Sequence, residues 1–247
     1  HKFPSGVGCH RAFIEFSVLD VNGKTLWASG RTNSVGVIID NNGDPVAGEL
    51  WWNQDCSARI KPEARVHQPH YQEITRQDQA QIYQELVAEP SGDAPVCGPG
   101  ATPQGKLTTS FLSICAKVKD NRLLPSGFLG LDTRIEIANR LGADRVLAEE
   151  SGAYAVGDDP DYQRGGGDAL TYRVPLSQLG DPDKIASVQA TLYYQPTPPF
   201  YLQDRFCTSA SPDTKRLYYL AGKLSLAGTP AQDWKLRVVT SGPVSVP

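Results

Sequence analysis

The chain has 247 residues, with 24 Lys plus Arg against 27 Asp plus Glu, a formal net charge of −3 and 40% hydrophobic residues. That length supplies a sizeable core, the balance is globular rather than disordered, and the basic excess of a nucleic-acid binder is missing. Apolar runs are as short as Val37-Ile38-Ile39, far below the roughly 18–20 residues that cross a bilayer, so no membrane span is expected.

Near the N-terminus, Ala12, Ile14, Phe16 and Val18 alternate with Phe13, Glu15 and Ser17, the period of two that marks a strand. Asp20-Val21-Asn22-Gly23 supplies a turn, and Lys24 to Ser29 returns as a second strand. Val35 to Ile39 leads into another turn, Asp40-Asn41-Asn42-Gly43-Asp44-Pro45. Further strands are expected over His70 to Ile74, Gln81 to Val87, Ala169 to Leu176, Ser187 to Tyr194 and Trp234 to Thr240. Helical periodicity marks Thr108 to Lys119, where Phe111, Leu112, Cys115 and Val118 share a side. It also marks Asp132 to Leu141, with Asp132 as N-cap and Gly142 just past the end. Residues 90–105 and 157–167 read as long surface loops. Together these predict a mainly β chain, one antiparallel β-sandwich-like domain over 1–247 with short helical and loop insertions.

The chain contains no methionine, so it is expected to be a processed or truncated product, without Met as an axial ligand to haem or blue copper. The cysteines, Cys9, Cys56, Cys97, Cys115 and Cys207, form no Cys-x-x-Cys. Zinc-ribbon, thioredoxin-like and covalent haem-attachment motifs are therefore missing. Wide spacing in loops suits disulfides and a periplasmic or extracellular setting. Sequence does not choose among the pairings; the one carried forward is Cys56–Cys97 with Cys115–Cys207, leaving Cys9 over.

Histidine is scarce: His1, His10, His67 and His70. His67 and His70 stand in His-x-x-His spacing on a Pro-containing extended segment. They read either as a metal pair or as one structural imidazole beside one exposed. If His1 is a free N-terminus, its α-amine and ring chelate copper in a histidine brace, with His67 or His70 completing a tetragonal nitrogen site. A chain merely cut before His1 has no such role. Asp158-Asp159-Pro160-Asp161 and Asp40 to Asp44 offer oxygen ligands for calcium but lack the EF-hand spacing, and are expected to be solvated turns. Gly165-Gly166-Gly167 lacks the Lys-Ser/Thr of a phosphate loop, and no Gly-x-Ser-x-Gly occurs, so no residue is singled out as catalytic. Trp51-Trp52, and Tyr193-Tyr194 through Phe200-Tyr201, read as core or, if exposed, as a carbohydrate- or protein-binding surface.

Several segments, in order, resemble one family. His1-Lys2-Phe3-Pro4-Ser5-Gly6 and Arg11-Ala12-Phe13 are followed by Pro69-His70-Tyr71 and by Asp78-Gln79-Ala80-Gln81-Ile82-Tyr83. The most distinctive run is Lys119-Asp120-Asn121-Arg122-Leu123-Leu124-Pro125-Ser126-Gly127-Phe128. Gly166-Gly167-Asp168 before a Tyr-Arg-Val strand, and Leu192-Tyr193-Tyr194-Gln195-Pro196, complete the set. The pattern resembles the C-terminal, haem-free domain of multihaem c-type cytochromes. This chain departs from the family in having no Cys-x-x-Cys-His.

The resemblance implies a non-catalytic accessory domain in an electron-transfer setting, packed against a haem-bearing portion or a redox partner. The haem c would be held by a missing or partner segment. His1 would sit near that haem or ligate it, and His70 is the next candidate. Lys119 and Arg122 would pair with its propionates, since guanidinium and ammonium groups favour carboxylates; a surface salt bridge or a cap on the Asp120-Asn121 turn is the alternative. A secreted copper protein or oxidative enzyme using the His1 brace, and a carbohydrate-binding module, are the other two readings.

Overall fold

The computed structural model describes residues 1–5 and 9–246, so Gly6 of the opening motif lies outside the described residues. The N-terminal strands are β1 (Arg11–Asp20), β2 (Thr25–Ser29), β3 (Arg31–Thr32) and β4 (Ile38–Ile39). The middle of the chain carries β5 (Glu73–Ile74), β6 (Ile82–Ala88), β7 (Leu107–Thr108) and β8 (Ala116–Asp120). Three helices follow, α1 (Leu131–Arg140), α2 (Arg145–Glu150) and α3 (Asp161–Arg164). Then come β9 (Thr171–Tyr172), β10 (Ile185–Gln195), α4 (Pro199–Thr208), α5 (Pro212–Lys223), β11 (Leu236–Thr240) and β12 (Val244–Ser245).

β1 organises the sheet. One edge pairs with β10, from Arg11 opposite Gln195 to Val18 opposite Val188. The other edge is shared: β6 takes Arg11 to Phe13 and β2 takes Phe16 to Leu19. The main sheet runs β11-β10-β1-β6-β7, with β12 on β10, β2 on β1 and β8 on β6. Leaving β2, the chain passes so close to β1 that a Cβ on Gly30 would lie 2.1 Å from the Ile14 carbonyl oxygen. Its φ of 76° also favours glycine, so no other residue fits this crossing.

The mainly β, antiparallel expectation is met in its coarse form, with 25% of residues in strands and 23% in helices. What covers the β1-β2 face is not a second large sheet but the two-stranded parallel pair β5-β9. Tyr172 of β9 stacks on Phe16 at 4.0 Å, beside Trp27 and Ile74, which are fully buried. The strands expected over 70–74 and 169–176 are accordingly short, since only two residues of each find a partner.

The helix expected over Thr108 to Lys119 does not form. Its ends become β7 and β8, both paired with β6, around a single 3-10 turn at Phe111–Ser113. Phe111 and Leu112, whose spacing suggested a buried helical side, are 51% and 100% exposed. Ladder hydrogen bonds to β6 outweigh a periodicity that four apolar residues produce by coincidence. The helix expected over 132–141 does form as α1, although Gly130 is its N-cap and Asp132 lies in the first turn. α4 and α5 have no counterpart among the expected elements. Both begin at a proline, and Ser211 caps α5 by accepting from the Thr214 N–H. The 90–105 stretch is a loop, whereas 157–167 contains α3.

The disulfides correct the expected pairing. They join Cys56 to Cys207 and Cys97 to Cys115. The 50s loop is fixed on α4 because the Gln203 side-chain oxygen accepts from the Trp51 and Trp52 N–H groups at 2.8 and 3.0 Å, which brings Cys56 to Cys207. Cys97 meets Cys115 where the Gly98 N–H donates to the Cys115 carbonyl. Cys9 is free, as expected. Among the described residues no helix is long and apolar enough to cross a membrane.

Candidate functional site

The motif residues scattered along the chain meet in two adjoining places. The first is a surface strap. Phe3 and Leu123 exchange backbone hydrogen bonds of 2.8 Å in both directions. The Lys2 ammonium donates to Asp120 Oδ2 and to the Gly152 carbonyl, each at 2.5 Å. Asp120, fully buried, also accepts from Arg122 Nε at 2.7 Å and Nη2 at 2.9 Å. Burial works to raise the Asp120 carboxyl, but Arg122 and Lys2 outweigh it and hold its pKa below the usual range. Arg122 also reaches Glu85 at 3.2 Å. His1, one residue ahead of this anchor, is exposed.

The second is a buried cluster centred on His70, which precedes β5. His70 Nε2 donates to Asp159 Oδ2 at 2.8 Å, and Nδ1 accepts from Gln81 Nε2 at 2.9 Å. Gln81, immediately before β6, and Tyr83, within it, lie two residues apart on one face of the chain. Both donate to Asp168 Oδ2, at 3.0 and 2.8 Å. Asp159 and Asp168 flank α3, and Asp159 Oδ1 accepts from the Asp161 N–H at that helix's start. The Tyr162 ring meets His70 edge-on at 5.1 Å, with its hydroxyl on the Asn121 carbonyl. Burial first, and the Asp168 charge second, push the Tyr83, Tyr162 and Tyr172 hydroxyls well above the usual tyrosine range.

Lys119 lies beneath this cluster, fully buried. Its ammonium donates to the carbonyls of Gln68, Pro69 and Ile82 at 2.9, 3.3 and 2.9 Å. Burial brings its pKa down to about 7, while three acceptors match the three donors of the charged form. Lys119, expected at a haem propionate, thus directs its ammonium to three interior carbonyls. Arg122, 12% exposed, is committed to Asp120 and Glu85.

His67 and His70 do not act as a pair. His67 Nδ1 donates to the Arg65 carbonyl at 2.6 Å, and among the described residues the ring is not part of the group formed by His70, Asp159 and Asp168. His10 bonds the Tyr194 hydroxyl at 2.9 Å. Among the oxygen-rich segments, Asp159 is not a solvated turn residue, being 2% exposed. The Asp40 loop is a turn: Asp40 Oδ1 accepts from the Asn42 and Asp44 N–H groups at 2.8 and 3.0 Å. Asp40→Ala is expected to cost about 1 kcal/mol in urea unfolding, the worth of such bonds.

The aromatic pairs are largely spent inside. Trp51 stacks on Phe200 at 4.6 Å, and Tyr193 stacks on Phe13 at 5.6 Å. Trp52 donates its indole N–H to Asp204 and lies under Arg59. Sequence reasoning had named His70 but not Asp159 or Asp168 as its partners. The available signal is Gly166-Gly167-Asp168 ahead of the Tyr-Arg-Val strand, together with an acidic run whose burial no local pattern reveals. Comparison of the chain with protein-family models, curated proteins and solved structures finds no match.

Proposed function

We propose that this chain is a non-catalytic, extracytoplasmic accessory module of a multihaem c-type cytochrome, packing against a haem-bearing portion or a redox partner and presenting His1 to it. The observation that carries the reading is the strap: Lys2 and Phe3 are pinned to Asp120 and Leu123, while His1 stays exposed. The His-Lys-Phe-Pro and Lys-Asp-Asn-Arg-Leu-Leu-Pro segments, the most family-like in the sequence, thus interlock and leave one imidazole free to meet a partner. Two disulfides fit an oxidising compartment.

The probe is a ferric c-type haem peptide with an open sixth position. Adding the chain is expected to convert it from high to low spin, with affinity about tenfold tighter than for N-acetylhistidine, a difference of about 1.4 kcal/mol. His1→Ala is expected to abolish the conversion, and a residue added before His1 to leave it, which separates single-imidazole ligation from a copper brace. A titration no tighter than N-acetylhistidine, or one unaffected by His1→Ala, overturns the reading.

A further inference from the structure

We propose that His70, Asp159 and Asp168 bind one divalent transition-metal ion, represented by zinc, as a structural cross-link between the 157–168 segment and the sheet. This does not rest on the haem reading. Among the described residues, these three side chains each offer a ligand atom, and the atoms all lie within 4.8 Å of one another. One imidazole with two carboxylates suits zinc or a neighbouring d-block ion, whereas calcium prefers an all-oxygen shell.

Charge carries the inference beyond proximity. The other buried carboxylates have a guanidinium or ammonium partner: Glu49 has Arg11, Asp120 has Lys2 and Arg122, and Asp204 has Arg59. Asp159 is as buried as these, yet among the described residues its side-chain partner is the imidazole of His70 and not a guanidinium or ammonium. Among the described residues, Asp168 Oδ1 and the Tyr172 hydroxyl are buried without a hydrogen-bond partner. An orphaned carboxylate oxygen next to a second buried carboxylate is costly unless a cation takes it up.

The surroundings are those of an oriented site. Gln81 and Tyr83 fix Asp168, and the Asp161 N–H fixes Asp159, as outer groups do around metal ligands. The ion would join three segments: the approach to β5, the start of α3 and the approach to β9.

Zinc titration of the chain, read by thermal unfolding and zinc K-edge absorption, tests this. The expected result is one ion per chain and a Tm rise of about 5–10 °C at about a hundredfold excess over Kd. The expected first shell is one imidazole nitrogen with oxygens at about 2.0–2.2 Å. Asp168→Asn is expected to remove the rise, while His1→Ala and His67→Ala keep it. No zinc uptake, a first shell with two imidazoles, or a rise that Asp168→Asn leaves intact overturns the proposal. Should Asp168→Asn fail to fold, the absorption spectrum of the unaltered chain decides alone.

Discussion

Glu49→Ala is expected to lower stability by about 3–5 kcal/mol, because it strands a guanidinium in the interior. Arg11 and Glu49 are each 1% exposed, joined by Nη1 to Oε1 at 2.5 Å and Nη2 to Oε2 at 2.8 Å. The pair is also a junction. Arg11 Nε donates to Gln195 Oε1 at 2.7 Å, Gln195 Nε2 donates to the Gly36 carbonyl at 2.8 Å, and Glu49 Oε2 accepts from the Ile38 N–H at 2.8 Å. One arginine therefore ties β1 to β10, and through Glu49 to β4. For a chain of this length the loss corresponds to a Tm drop of about 10 °C or more. Arg11→Met combined with Glu49→Leu removes both charges and is expected to recover more than half of the loss, leaving the unpaired Gln195 and Ile38 groups as the residue of the cost. A double-mutant cycle by chemical denaturation measures the coupling. A Glu49→Ala cost below about 1 kcal/mol would contradict this account.

The two disulfides are expected to contribute unequally. Cys56–Cys207 spans 151 residues and Cys97–Cys115 spans 18. In the chain-entropy account, these closures restrict the unfolded chain by about 5 and about 3 kcal/mol. Replacing Cys56 and Cys207 with serine should therefore destabilise more than replacing Cys97 and Cys115, by about 2 kcal/mol. The structure adds to the inequality, since the long closure holds the Trp51–Phe200 stack together while the short one tethers an exposed loop. Denaturant unfolding of both double-serine variants gives the comparison, and equal or reversed losses would count against it.

Legibility followed the range of the forces involved. β1, β2, β6, β10 and α1 could be read because alternation or helical spacing within one segment is a local signal. The 108–119 segment misled because its fate is decided by pairing with β6 and by Cys97, both of which lie outside the segment whose periodicity is read. α4 has a start signal in Pro199, but Phe200 and Tyr201 draw a core reading instead, while α5, with start signals in Ser211 and Pro212, drew no reading. At the site, His70 stood out as a rare residue type. Its partner Asp159 lies 89 positions away and Asp168 further still, and nothing in a short acidic run tells burial from solvation. Cysteine pairing failed for the same reason: it reports where loops meet, which composition does not encode.

The pinned strap bears on how much freedom His1 has left. Two residues beyond the doubly bonded Phe3, its Cα can range over no more than about 7 Å. An imidazole on so short a leash has surrendered most of its translational wandering before it meets anything. Coordination or docking there would consequently carry a small entropic penalty, and lengthening the leash with glycines should weaken it without touching a single contact.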